Sequence, residues 1–191
     1  YQKNFETSDN QFGFKKGMCC SHAIYTVKSV VDHFSRQGST VNLCALDLSK
    51  AFDKMNHHGL FITLMKRMVP INLLCTLEYW FSMCCTCVRW RSSFSNFFKI
   101  NCGVRQGGVL SAYFFAMYID DIVKIVQRSK IGCCIGTLFV NICLYADDIV
   151  LLAPSIDALQ KLLTLCEQHL AYLDMALNAK KIHLHQIWSP L

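Results

Sequence analysis

Two apolar runs that end in carboxylates restrict this chain more than any other feature. Val41-Asn42-Leu43-Cys44-Ala45-Leu46 runs into Asp47, and Phe139-Val140-Asn141-Ile142-Cys143-Leu144 runs through Tyr145-Ala146 into Asp147-Asp148, followed by Ile149-Val150-Leu151-Leu152. Short runs this dense in Val, Ile and Leu read as buried strands. A negative charge at the end of such a strand costs several kcal/mol unless something cationic neutralises it. Two adjacent aspartates also make a poor hairpin tip, because two-residue turns favour Asn-Gly or Asp-Gly, whose inner positions take positive φ. A fold that joins the two strand ends therefore gathers three acids around divalent cations. Two such ions about 3.5–4 Å apart can clamp the attacking and leaving oxygens of an in-line phosphoryl transfer.

The 191 residues suffice for one domain with a substantial core, and 53% hydrophobic against 17% charged residues excludes a disordered tail. No long apolar run lacks a polar break, so no membrane span is expected. The start, Tyr1-Gln2-Lys3-Asn4-Phe5-Glu6, is neither a secretory signal nor an initiating Met, so the chain is expected to be cut from a longer protein. A net charge of +6 permits a polyanionic partner without requiring one. The twelve cysteines include the vicinal pairs Cys19-Cys20, Cys84-Cys85 and Cys133-Cys134 and a single CxxC, Cys84-x-x-Cys87. Vicinal pairs make poor structural disulfides, and no second ligand pair stands at zinc spacing, so free thiols in a reducing compartment are expected.

Ser21 to Phe34 carries apolar residues at helical spacing, Thr40 to Asp47 reads as a buried strand, and Pro70 separates two helices, His57–Met68 and Ile71–Met83. Cys87–Trp90 and Phe97–Cys102 read as a strand pair around a Ser-rich turn, and Leu110–Gln127 as an apolar helix. Leu138–Leu152 reads as two strands folded at Asp147-Asp148, and Ser155 caps a last helix reaching to about Leu173. The pattern is α+β, with helices packed on one face of an antiparallel sheet.

A third string, Gly103-Val104-Arg105-Gln106-Gly107-Gly108-Val109-Leu110-Ser111, lies between the two acidic ones. Its glycines let backbone approach a substrate closely, and the N–H groups opening the next helix can face phosphate. With these strings in this order, the chain resembles the reverse transcriptases of non-LTR (LINE-type) retrotransposons. Gln11-Phe12-Gly13-Phe14-Lys15-Lys16-Gly17 is similar to a fingers segment of that family, and Leu46 to His57 to its first catalytic motif. Gly103 to Ser111 is similar to its Gly-Val-x-Gln-Gly-x-Val-Leu-Ser motif, and Tyr145 to Asp148 to its Tyr-Ala-Asp-Asp box. The resemblance runs from about residue 11 to 182.

The resemblance implies a right-hand polymerase fold: a fingers part at 1–40, a palm with inserted fingers helices at 41–182 and a divergent tail at 183–191, with the thumb missing. It implies RNA-directed DNA polymerisation, with Asp47, Asp147 and Asp148 as catalytic metal ligands, assisted by backbone at Leu48. The cofactor would be two Mg²⁺ ions, with Mn²⁺ as a substitute. Leu48 and Ser49 would face the triphosphate, Phe52 would exclude a 2′-hydroxyl, and Gln106 and Gly107 would meet the incoming nucleotide. Lys181, in Asn178-x-x-Lys181, would be the general acid at the leaving pyrophosphate. Lys15, Lys16, Arg89, Arg91, Lys99, Arg105 and Gly108 would meet the nucleic acid. The implied partners are an RNA template, a DNA primer and dNTPs, with no membrane and no stable protein partner. The implied location is intracellular, in the nucleus.

Departures from the family pattern are Ala112, where Pro is usual, and Ile182 to Leu191, which does not follow it. His183-x-His185 in that ending is a weak metal pair. A group II intron-type reverse transcriptase also carries the Tyr-Ala-Asp-Asp box, but Leu46-Asp47-Leu48-Ser49-Lys50-Ala51-Phe52-Asp53 favours the LINE type. The alternative to an enzyme is a truncated or decayed element remnant that at most binds nucleic acid.

Overall fold

The computed structural model describes residues 2–188. After a 3₁₀ turn at Gln2–Phe5 come α1 (Cys20–Arg36), β1 (Val41–Asp47), α2 (His57–Lys66) and α3 (Ile71–Ser82). Four two-residue strands follow: β2 (Cys85–Thr86), β3 (Arg89–Trp90), β4 (Ser93–Phe94) and β5 (Phe98–Lys99). The second half holds α4 (Ser111–Arg128), β6 (Cys134–Ile135), β7 (Leu138–Phe139), β8 (Ile142–Tyr145), β9 (Asp148–Ala153), α5 (Ile156–Tyr172) and β10 (His183–Ile187), with a 3₁₀ turn at Ala179–Lys181 before β10. The fold is α+β, as expected.

The main sheet is antiparallel in the order β10-β1-β9-β8. Alternation along its strands divides the core in two. Cys44, Leu46, Ile142, Leu144, Ile149 and Leu151 join Phe115, Ile119 and Ile122 of α4 and Leu162 and Cys166 of α5. On the other face Val41, Cys143 and Leu152, flanked by Leu43 and Val150, join Ala23, Val27 and Val30 of α1. The expected single helical face is therefore corrected: α4 and α5 cover one face and α1 the other. Strands that read as unbroken apolar runs need cover on both sides, and α1 supplies a second apolar stripe.

Two further readings change in detail. The Ser-rich stretch folds into two small hairpins, β2 with β5 and β3 with β4, rather than one strand pair. Residues 183–187, set apart from the sequence as a tail, form an edge strand with Val41↔Ile187 and Ala45↔His183 in register. His183-Leu184-His185-Gln186-Ile187 carries little apolar signal because an exposed edge strand is held by its ladder more than by burial. Tyr1 and residues 189–191 of that tail lie outside the described residues.

Ser155 caps α5, its Oγ accepting from Ala158 N at 3.2 Å. All twelve cysteines are free. Burial pushes the thiols of Cys133, Cys143 and Cys166 up to about 12, which leaves them as inert packing groups. Among the described residues, no helix is long and apolar enough to cross a membrane.

Candidate active site

The strand register brings the acidic strings together. Asp47, last in β1, pairs with Asp148, first in β9, and Asp148 pairs in turn with Tyr145 of β8. Antiparallel partners lie about 4.5–5.5 Å apart, so the Asp47 and Asp148 side chains leave the sheet side by side. Asp147 sits in the two-residue turn beside them. The positive φ of that turn falls on Ala146 at 58°, so Asp148 belongs to the strand and not, as the sequence suggested, to the tip.

Asp47 is anchored from the far side of the chain. Its Oδ2 lies 3.1 Å from Lys181 Nζ and accepts from Asn178 Nδ2 at 3.3 Å. Asn178 N donates to Asp47 O at 2.9 Å, and Ser49 N to Ala176 O at 2.9 Å, which builds a bridge between Leu48 and Leu177. Partial desolvation pushes the Asp148 carboxyl above the usual aspartate range, the Asp147 and Asp47 charges add to this, and Lys181 opposes it. Carboxylate oxygens suit a hard, oxygen-seeking cation. Among the described residues no three His, Cys, Asp or Glu side chains are drawn together closely enough to hold a metal ion, and Asp47 is turned onto Lys181 and Asn178. Asp47, Asp148 and Lys181 open onto a groove of about 750 Å³ walled by Ile24, Val27 and Leu43.

Phe52 is half-buried, stacked on Phe115 at 4.8 Å between centroids and met edge-on by Phe14 at 6.1 Å. Phe52 O accepts from Val104 N at 2.8 Å and Met55 O from Gly103 N at 2.7 Å, so the glycine-rich loop is tied to the turn after β1. His57 Nε2 also reaches Gly103 O, at 2.6 Å. Gly103 has φ +82°, and a Cβ there would lie 2.6 Å from Asp53 O. Beyond this anchor Arg105, Gln106 and Gly107 are exposed, and Gly108 is half-exposed beside Ser111.

The predicted nucleic-acid contacts divide. Arg89, Arg91 and Lys99 are exposed on the small hairpins, and Lys16 is exposed beside Gly17. Lys15 is folded back, its Nζ donating to Thr7 O at 3.2 Å and Ser8 O at 3.3 Å.

Sequence reasoning assigned no role to Gly13, Asn178 or Phe115. Gly13 follows Phe12, whose N donates to Leu144 O at 2.8 Å, and the segment runs beside β8 up to the acidic turn. A Cβ on Gly13 would overlap the Ala146 backbone nitrogen and lie 2.9 Å from Ala146 Cα. Nothing flexible lines that contact, so Gly13→Ala must push the turn aside. A shift of about 1 Å costs on the order of 100-fold in a reaction that depends on positioning. We expect Gly13→Ala to lose that much nucleotide incorporation while its circular dichroism matches the parent's; equal activity would mean the turn tolerates displacement.

A profile of the family described as reverse transcriptase (RNA-dependent DNA polymerase) matches residues 2–188. The chain is 29% identical over 171 residues to the Pol polyprotein of the type-2 retrotransposable element R2DM of Drosophila melanogaster, covering 90% of this chain and 16% of that protein. It is 26% identical over 181 residues to the RNA-directed DNA polymerase from mobile element jockey of Drosophila funebris, covering 90% of this chain and 19% of that one. Among solved structures, an apo telomerase from Candida tropicalis superposes with a TM-score of 0.71 at 12% identity, over 93% of this chain and 36% of the telomerase. That likeness shows the fold alone.

Proposed function

Because the chain belongs to the reverse transcriptase (RNA-dependent DNA polymerase) family, related to the enzymes of non-LTR retrotransposons, we propose that it is the fingers–palm core of such a polymerase. It would extend a DNA primer on an RNA template with dNTPs. The observation that carries this reading is the register pair Asp47↔Asp148 with Asp147 in the adjoining turn. In this reading the four-stranded sheet is the palm and residues 1–40 belong to the fingers. The chain spans 16% of R2DM and 19% of the jockey polymerase.

Asp47, Asp147, Asp148 and the Leu48 carbonyl would hold the divalent cations, which when bound neutralise charge on the attacking and leaving oxygens of the phosphoryl transfer. The chain's own groups perform the rest. Lys181 Nζ, already beside Asp47, would pass a proton to the leaving pyrophosphate. Gln106 would hydrogen-bond the incoming nucleotide, and Arg105 would meet template backbone. The Phe52 ring, fixed in orientation by Phe115 and Phe14, would stand where a 2′-hydroxyl would project.

Sugar selection tests this reading. The parent is expected to incorporate dTTP opposite poly(rA) and to reject UTP. Phe52→Val is expected to accept UTP at least about tenfold better relative to dTTP, since a built-in clash of ~1.4 kcal/mol or more is removed. Equal use of UTP by parent and variant would take Phe52 out of the site.

A further inference from the structure

The hairpins between α3 and the glycine-rich loop expose aromatic surface that the reaction just described does not use. Trp90 is 75% exposed, Phe94 65% and Phe97 78%. Rings of this size seldom stand in water in such density without a partner. Their electrostatic setting narrows the choice of partner. From Glu78 to Asp120 the sequence holds no intervening Asp or Glu, while Arg89, Arg91 and Lys99 stand among the rings. Arg89 is the cross-strand partner of Phe94 and lies 5.6 Å over its ring centroid, so a planar cation extends the aromatic face. Trp90 opposes Ser93 and therefore projects from the other side of the β3–β4 ribbon. An acid-free hairpin that carries a ring and a cation on one side and a ring on the other suits a partner with a charged backbone and exposed π faces. That describes an unpaired nucleic-acid strand, and a duplex keeps its faces stacked inside.

We propose that the β3–β4 hairpin, with Phe94 on one side and Trp90 on the other, and Phe97 form a two-sided stacking platform for single-stranded RNA, where the unpaired template runs before it reaches the acids. This rests on the polymerase reading for the identity of the strand. The hairpin's place in the chain supports that path. β5 leads directly to the Gly103 anchor, held to Met55 and Phe52 of the turn after Asp47, and then to Arg105 and Gln106.

The test needs no turnover. Fluorescence anisotropy compares binding of labelled oligo(rA) and of a blunt RNA–DNA duplex to the 191-residue chain and its Trp90→Ala/Phe94→Ala variant. Both rings are exposed, so the variant should keep the parent's melting temperature. Oligo(rA) binding is expected to weaken by roughly 10–100-fold, duplex binding by less than about threefold, and Trp90→Phe in place of alanine to restore most of the loss. Equal weakening on both ligands, or none, overturns the proposal. So does self-association of the parent that the variant abolishes without any difference in oligo(rA) binding, which would give the face to a second copy. A chain that binds oligo(rA) through the rings yet never extends a primer refutes the polymerase reading alone. A chain that extends primers but ignores the rings refutes the platform alone.

Discussion

Asp47→Asn is expected to lower nucleotide incorporation by about 10³-fold, roughly 4 kcal/mol of barrier, with the fold intact. The substitution keeps the shape of the side chain and the backbone bond from Asn178 N to Asp47 O. What it removes is one of three negative charges at the joined strand ends and the ionic partner of Lys181. The fold should gain. Asp148's carboxyl is raised by desolvation and then by the Asp147 and Asp47 charges, so its protonated form is favoured by folding. Stability from that group is therefore full at low pH and is lost as pH rises through its native value. Removing the Asp47 charge lowers that value and reduces the loss, so the variant's melting temperature near neutral pH should equal or exceed the parent's. A variant that is inactive because it is unfolded would contradict this.

The second large effect is on stability. Asp120 is fully buried on α4, with Oδ2 2.8 Å from Arg67 Nη2 and 3.0 Å from Lys124 Nζ, and Oδ1 accepting from Ser8 N at 2.7 Å. Arg67 also donates through Nη1 to Glu6 O, so one carboxylate ties the end of α2, the middle of α4 and the N-terminal segment. Asp120→Ala leaves a guanidinium that is only 12% exposed without its counter-charge. Breaking a buried pair from one side costs about 3–5 kcal/mol. The neighbouring Asp121→Ala removes a half-exposed partner of Lys124 and should cost no more than about 1 kcal/mol. Urea denaturation of the two variants checks the contrast, and equal midpoints would show that the Asp120 network contributes little. The N-terminal segment that Asp120 holds through Ser8 continues to Gly13 against the acidic turn, so Asp120→Ala should also weaken incorporation below its unfolding midpoint.

The meeting of the acids was legible because each stands at the end of an apolar strand. Two apolar strands ending in acids can meet only through their register, and Asp47↔Asp148 is that register. Helices were legible from their period and caps, as with Ser155 before α5. Long-range side-chain contacts were not. Lys181 was placed by motif spacing, but the hold of Asn178 on Asp47 spans 131 residues and leaves no periodic trace. Gly13 carries no side chain, so its close approach to Ala146 has no sequence signal beyond the glycine itself. The strand at 183–187 was missed because edge strands need little hydrophobicity, and the second helical face because a doubly buried strand does not say what covers it.

The most direct measurement is primer extension on poly(rA)–oligo(dT) with Mg²⁺ and dTTP, comparing the chain with its Asp47→Asn variant. Extension by the parent and none by the variant is the predicted result. Extension by both alike, or by neither, would contradict a polymerase core centred on Asp47.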